Sequence, residues 1–212
     1  LLIVPPFAEE MNKCRRMMAL LARGAAEHGV LSLIPDLFGT GDSDGDFRDA
    51  SWAAWRSDLV GAGRWLESQG VRALDILAVR TGALLCSAAL PELLSVSQVR
   101  QLMFWQPVTS GARYMQQFLR MRLAADAIVP EGRQGETGAD LRSLLAAEGF
   151  LEVAGYTISR ELHDDITRSD LTGGSCTGSR RIHWFEVVDS GSDGASPAAQ
   201  RAIEALRRAG AA

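Results

Sequence analysis

Cysteine is scarce in this chain of 212 residues, and its three thiols, Cys14, Cys86 and Cys176, stand far apart. No C-x-x-C spacing points to a zinc site or a thioredoxin-like centre, so reduced thiols in a cytoplasmic protein are the simplest expectation. No apolar run is long enough to cross a membrane. The opening Leu1-Leu2-Ile3-Val4 has no basic leader, and it reads as the inside of a strand with residues missing before it. Positive charge is not in excess either. Lys and Arg number 22 against 26 Asp and Glu, a net charge of −4, which argues against a general binder of nucleic acid or anionic membrane.

What is present suits one folded domain with an ordinary core, at 47% hydrophobic and 23% charged residues. Leu1–Val4 reads as a buried strand ended by Pro5-Pro6. Met11 to His28 has helical spacing and stops at Gly29. Val30–Ile34 reads as a second buried strand, followed by a turn-rich loop from Asp36 to Asp46. Ser51 is placed to cap a helix through Ser68. Strand Leu74–Val79, a helix to about Leu90 and strand Leu102–Trp105 follow. This alternation predicts parallel βαβ units in a doubly wound α/β sheet.

The rhythm breaks after Pro107. Residues 1–107 form the core, 108–178 read as a mostly helical insertion of the kind that makes a lid, and 179–212 return to the core. The insertion holds one strong amphipathic helix, Ala112–Ala125. The return holds a strand, Ile182–Val188, and a helix, Pro197–Ala209, opened by Ser196. The chain stops where one more strand is expected, and exposed sheet edges would leave a partner protein or a second copy to cover one.

The most telling absence lies in Leu74 to Leu85, a buried strand, a sharp turn and an apolar helix start. This is the setting of a nucleophile elbow, G-x-S-x-G. The five positions are Ala78, Val79, Arg80, Thr81 and Gly82, and arginine, a permanent cation with no lone pair, takes the place of serine.

With these segments in order, the chain resembles an α/β-hydrolase, and more narrowly the exosortase A system-associated hydrolase 2 family. Val4-Pro5-Pro6-Phe7-Ala8-Glu9-Glu10-Met11-Asn12-Lys13, the loop Pro35 to Ser43, Arg80-Thr81-Gly82-Ala83-Leu84-Leu85 and Trp105-Gln106-Pro107-Val108 carry the likeness. Val153-Ala154-Gly155-Tyr156 and His183 to Val188 extend it. The resemblance implies a setting in exopolysaccharide production and exosortase-dependent sorting, a hydrolase label that rests on fold, and arginine as the family's usual elbow residue.

Donors for an anion would be the N–H groups of Phe7 or Ala8 and of Thr81. Arg80 either pairs with Glu9 or Glu10 and plugs the elbow, or binds a carboxylate or phosphate with the Thr81 amide. Glu9 or Glu10 as a general base is the enzymatic alternative, with a helix-start role as the plainer reading. Asn12 could cap the same helix. Asn12, Asp42, Ser43 and Gln106 are candidates for the cleft rim. Asp189 or Asp193 stands near where a hydrolase acid would sit, and none of His28, His163 and His183 is where a catalytic histidine belongs. No metal or cofactor is expected; the G-x-G of the Asp36–Asp46 loop lacks a dinucleotide-type helix start, so dinucleotide binding is a poor fit. Two functions stay open: a non-catalytic protein that binds a small acidic ligand or a partner, and a hydrolase with a non-serine mechanism.

Overall fold

The structure, a computed structural model, describes residues 1–128, 137–173, 181–188 and 194–211. It divides into two compact units. The first comprises Leu1–Pro35, Arg56–Thr109 and Asp170–Ala212, and the second Asp36–Trp55 and Ser110–Ser169. The second unit therefore includes the turn-rich loop as well as most of the insertion.

In the first unit, β1 (Leu2–Val4), β2 (Leu74–Val79), β3 (Val99–Trp105) and β6 (Arg181–Phe185) form a parallel sheet in the order β1-β2-β3-β6. The period of two explains its two faces. Ile3, Leu77 and Val79 pack with Met18 of α1 (Ala8–Glu27), joined by Met17, Leu21, Met103 and Trp105. The alternate residues Leu2, Val4, Ile76, Ala78, Leu102 and Phe104 are fully buried on the face that meets α3 (Gly82–Val96). Apolar residues on both faces are what a parallel sheet between helix layers requires. A helix α2 (Trp52–Ser68) precedes β2, and α7 (Pro197–Arg208) follows β6. The Ser51 and Ser196 hydroxyls accept from the N–H groups of Ala54 and Ala199, as N-caps do.

Several boundaries differ from the sequence expectation. The Val30–Ile34 segment is not a strand but makes a single bridge, Leu33 to Leu2. The Val30 N–H is already used on Ala25 O at the end of α1, and Pro35 has none to give. α1 begins at Ala8 rather than Met11, with Phe7 as its N-cap. Asn12 is therefore an exposed residue inside the helix and not its cap. α3 continues through Pro91 to Val96, because Leu93 beyond the proline is fully buried and anchors the last turn. β6 ends at Phe185, and Val187 and Val188 are exposed. Pro107, just past the end of β3, has no N–H with which a longer pairing could continue.

The second unit contains α4 (Gly111–Ile128), α5 (Gly138–Glu148), a hairpin of β4 (Phe150–Val153) and β5 (Tyr156–Ser159), and α6 (Arg160–Arg168). Tyr114, Met115, Phe118 and Leu119 form the buried stripe of α4. The two-residue turn has positive φ at both Ala154 (50°) and Gly155 (82°), which matches the twist of the strands. Phe47 packs edge-on against Tyr156, with ring centres 5.0 Å apart. No described helix is long and apolar enough to cross a membrane.

Candidate functional site at the elbow

β2 ends at Val79, Thr81 is the N-cap of α3, and the residue between them, Arg80, has φ of +53°. Left-handed backbone at a residue other than glycine costs on the order of 1–3 kcal/mol and persists only where surrounding structure holds it. Two hydrogen bonds do so here: Arg80 N–H donates to Trp105 O at 3.0 Å, and Val108 N–H donates to Arg80 O at 3.1 Å. Gly82 lets the helix start approach the chain after β1. A Cβ there would lie 2.6 Å from Val4 O and 2.8 Å from Pro5 O.

The strain is shared. Ala8 (φ 48°) and Gln106 (φ 45°) are also left-handed. Ala8 lies in the loop-to-helix turn after β1, and Gln106 directly follows β3. Three strained residues thus mark the carboxyl ends of three adjacent parallel strands, the end at which open α/β sheets bind ligands.

Arg80 reaches Glu10. Its Nε and Nη2 donate to the one oxygen Oε1 at 3.1 and 2.8 Å, and Nη1 donates to Gln106 O at 3.1 Å. These use three of the five guanidinium N–H bonds. The side chains of Arg80 and Glu10 are 31% and 20% exposed, so solvent screens the pair and its net worth is small. Gln106 also holds the outer strand: its N–H donates to Phe185 O at 2.7 Å, and its Oε1 accepts from Val187 N–H at 2.6 Å. A backbone donor to Oε1 fixes the carboxamide orientation, leaving Nε2 as the free end. From the sequence Gln106 is a candidate for the cleft rim only. No sequence pattern signals the double role of its main chain and side chain.

The expected anion donors are partly changed. Phe7 N–H donates to Thr81 Oγ1 at 2.7 Å, a buried bond, so Phe7 is not a free donor. That bond ties the turn after β1 to the elbow. The Ala8 and Thr81 N–H groups, on residues 2% and 3% exposed, have no acceptor among the described residues. Both stand at helix starts, where an α-helix leaves its first N–H groups without intrahelical acceptors and open to an outside partner.

The other candidates are placed as follows. Glu9 pairs with Lys13 one helical turn on, at 3.2 Å, so it faces away from the elbow, and both glutamates lie in the first turn of α1 rather than on an extended loop. Asp42 N–H donates to Asp36 Oδ2 and Ser43 N–H to Thr40 O. Those are turn roles within the second unit. Asp189 and Asp193 lie outside the described residues, as does Cys176. His28 contacts Gly24 O, His163 contacts Asp164 and His183 contacts Gln101. Burial pushes the Cys14 thiol up and the Glu10 charge adds to this, while Arg80 and Lys13 pull it down. Cys14 therefore senses the pair without touching it. Among the described residues, no group of His, Cys, Asp and Glu is placed to hold a metal.

Comparisons with known proteins rest on shape. No family model matches the chain, and no curated protein does. Three solved structures align over nearly its whole length. One is an Agrobacterium vitis S4 protein designated a hydrolase, with TM-score 0.58 and 17% identity, covering 98% of this chain and 85% of that one. A second comes from work on two metagenome-derived lipolytic enzymes, LipS and LipT, with TM-score 0.55 and 21% identity, covering 99% and 78%. The third is an N-formylmaleamic acid deformylase from Pseudomonas putida S16, with TM-score 0.52 and 16% identity, covering 100% and 81%. At such identities the likeness speaks for fold alone. With its mainly parallel sheet, flanking helices and elbow, the chain has an α/β-hydrolase-like fold.

Proposed function

We propose that this chain is a non-catalytic binding or accessory protein that takes a small acidic ligand, or an acidic group of a partner, at the elbow. One observation carries the reading: a guanidinium held by Glu10 and Gln106 O stands where a nucleophile would have to be. Arginine cannot attack a carbonyl. It can hold a carboxylate or phosphate, and its neighbours Ala8 and Thr81 contribute peptide N–H donors that suit an anion. Three strained residues around this point fit a binding site better than a plain turn.

The resemblance carried by Val4–Lys13 and the elbow sets the protein in exopolysaccharide production and exosortase-dependent sorting, and that setting is part of the proposal. The enzymatic alternative, with Glu10 as general base and Arg80 positioning the substrate, requires Glu10 to leave the guanidinium first. Glu9 is a poorer base still, being paired with Lys13.

A fluorophosphonate probe and a panel of acyl and phosphate esters separate the two. The expected result is no labelling and no turnover, with acetate or inorganic phosphate bound by the unaltered protein and lost in Arg80→Ala. Turnover that disappears in Arg80→Ala or Glu10→Ala would establish the enzyme instead.

A further inference from the structure

Glu10 satisfies Arg80 incompletely. Nε and Nη2 converge on Oε1 alone, whereas the strong arginine–carboxylate arrangement gives each N–H its own oxygen. The reason is positional. Glu10 belongs to the first turn of α1, three residues after the N-cap Phe7, so the helix start sets where its carboxylate can go. That start is tied to the elbow by the bond from Phe7 N–H to Thr81 Oγ1. The approach of the glutamate is dictated by the helix and not by the guanidinium fork.

Other donors lie beside these two residues in the chain, since Thr81 follows Arg80 and Ala8 shares the first turn of α1 with Glu10. Two guanidinium N–H bonds remain, and the buried N–H groups of Ala8 and Thr81 have no acceptor among the described residues. Glu10 brings one oxygen to a guanidinium fork that can take two. An incoming anion with two or three oxygens can meet the fork squarely, and the pair is exposed enough for a solute to reach it.

We infer that Glu10 is a tethered competitor for the ligand: its carboxylate occupies Arg80 in the free protein and is displaced when a multi-oxygen anion binds. The inference rests on the acidic-ligand reading given above. A tethered group acts at an effective concentration of roughly millimolar or more. Weak solutes present at lower concentration are thereby kept out, and a ligand must offer better geometry than Glu10 to enter. Glu10 in this role is a positioning residue for Arg80 and sets the threshold for binding.

The test is calorimetric titration of the full chain with sodium acetate and, separately, with inorganic phosphate. Unaltered protein, Glu10→Gln and Arg80→Met are compared, with far-UV circular dichroism as the check of folding. Glu10→Asp, which keeps the charge and withdraws the carboxylate by one methylene, serves as a second variant if Glu10→Gln does not fold. The expected result is weak binding to the unaltered protein, affinity about tenfold or more higher in Glu10→Gln, a smaller gain in Glu10→Asp, and none in Arg80→Met. Equal affinity with and without Glu10, lost in Arg80→Met, overturns the competitor and leaves the acidic-ligand reading standing. Absence of binding in both the unaltered protein and Glu10→Gln overturns both, as does binding that survives Arg80→Met.

Discussion

Arg80 donates through Nε and Nη2 to a single oxygen of Glu10, a residue 70 positions earlier in the chain. The contact joins the end of β2 to the first turn of α1 and puts a neutralised charge pair at the apex of the elbow. Its consequences can be separated by substitution.

Arg80→Ser restores the hydroxyl without restoring the chemistry. Among the described residues of the first unit, His28 and His183 contact Gly24 O and Gln101 rather than the elbow, so neither supplies it with an imidazole base. Labelling by a fluorophosphonate is expected to stay at the level of the denatured control. Stoichiometric labelling that requires folded protein would reveal a base within reach.

Cys14 reports on the pair. Its thiol is pushed up by burial and then by Glu10, and pulled down by Arg80 and Lys13. In a Cys176→Ser background, with Cys86 fully buried, its alkylation at pH 7.5 is expected to be slower than that of a free thiol and to rise with pH above the usual midpoint. Arg80→Met should move that midpoint further up and Glu10→Gln should move it down. A midpoint indifferent to both substitutions would contradict the arrangement.

Two glycines make a matched test of packing. Gly82→Ala drives a Cβ to within 2.6 Å of Val4 O, and backbone overlap of that kind costs about 1–3 kcal/mol or more. Gly61 in α2 has nothing within 4 Å of a Cβ, and alanine there should gain roughly 0.5–1 kcal/mol of helix propensity. Urea midpoints should move in opposite directions. Equal and small shifts would deny the close approach at the elbow.

Stability should depend on acid through Asp75. Burial opposes its ionisation, but the hydrogen bonds and charge of Arg100 outweigh this, and its carboxyl is held below the ordinary range. A depressed folded-state pKa gives stability that is present above the unfolded value of about 3.9 and lost as pH falls through the folded one. The difference in urea midpoint between unaltered protein and Arg100→Gln should therefore be full near pH 6 and shrink below about pH 4. A difference that grows on acidification would reverse the sign and refute the assignment.

The strand, elbow and first helical turn after it were legible because they are local: an apolar run from Leu74 to Val79, then Gly82 where a side chain could not fit. The choice between Glu9 and Glu10 was not legible, because it depends on where α1 begins. A start at Ala8 sets the helix phase, so that Glu9 meets Lys13 and Glu10 is left for Arg80. Val30–Ile34 was legible in place but not in extent: Leu33 bonds to Leu1 and Ile3 beside β1, while the Val30 N–H goes to the end of α1, so only one bridge forms. The hairpin at Ala154-Gly155 was not legible as a turn, since alanine seldom takes positive φ. The hold of Phe7 on Thr81 and of Gln106 on Val187 joins residues distant in sequence, and no periodicity encodes such bonds.

The most direct test of the account is the Arg80 Nε–H resonance, followed by proton–nitrogen NMR in the unaltered protein while acetate is added. The account predicts a resolved signal protected from solvent exchange by Glu10, which shifts and saturates as acetate takes the guanidinium. A signal that exchanges like those of exposed arginines, or one that acetate never moves, would contradict it.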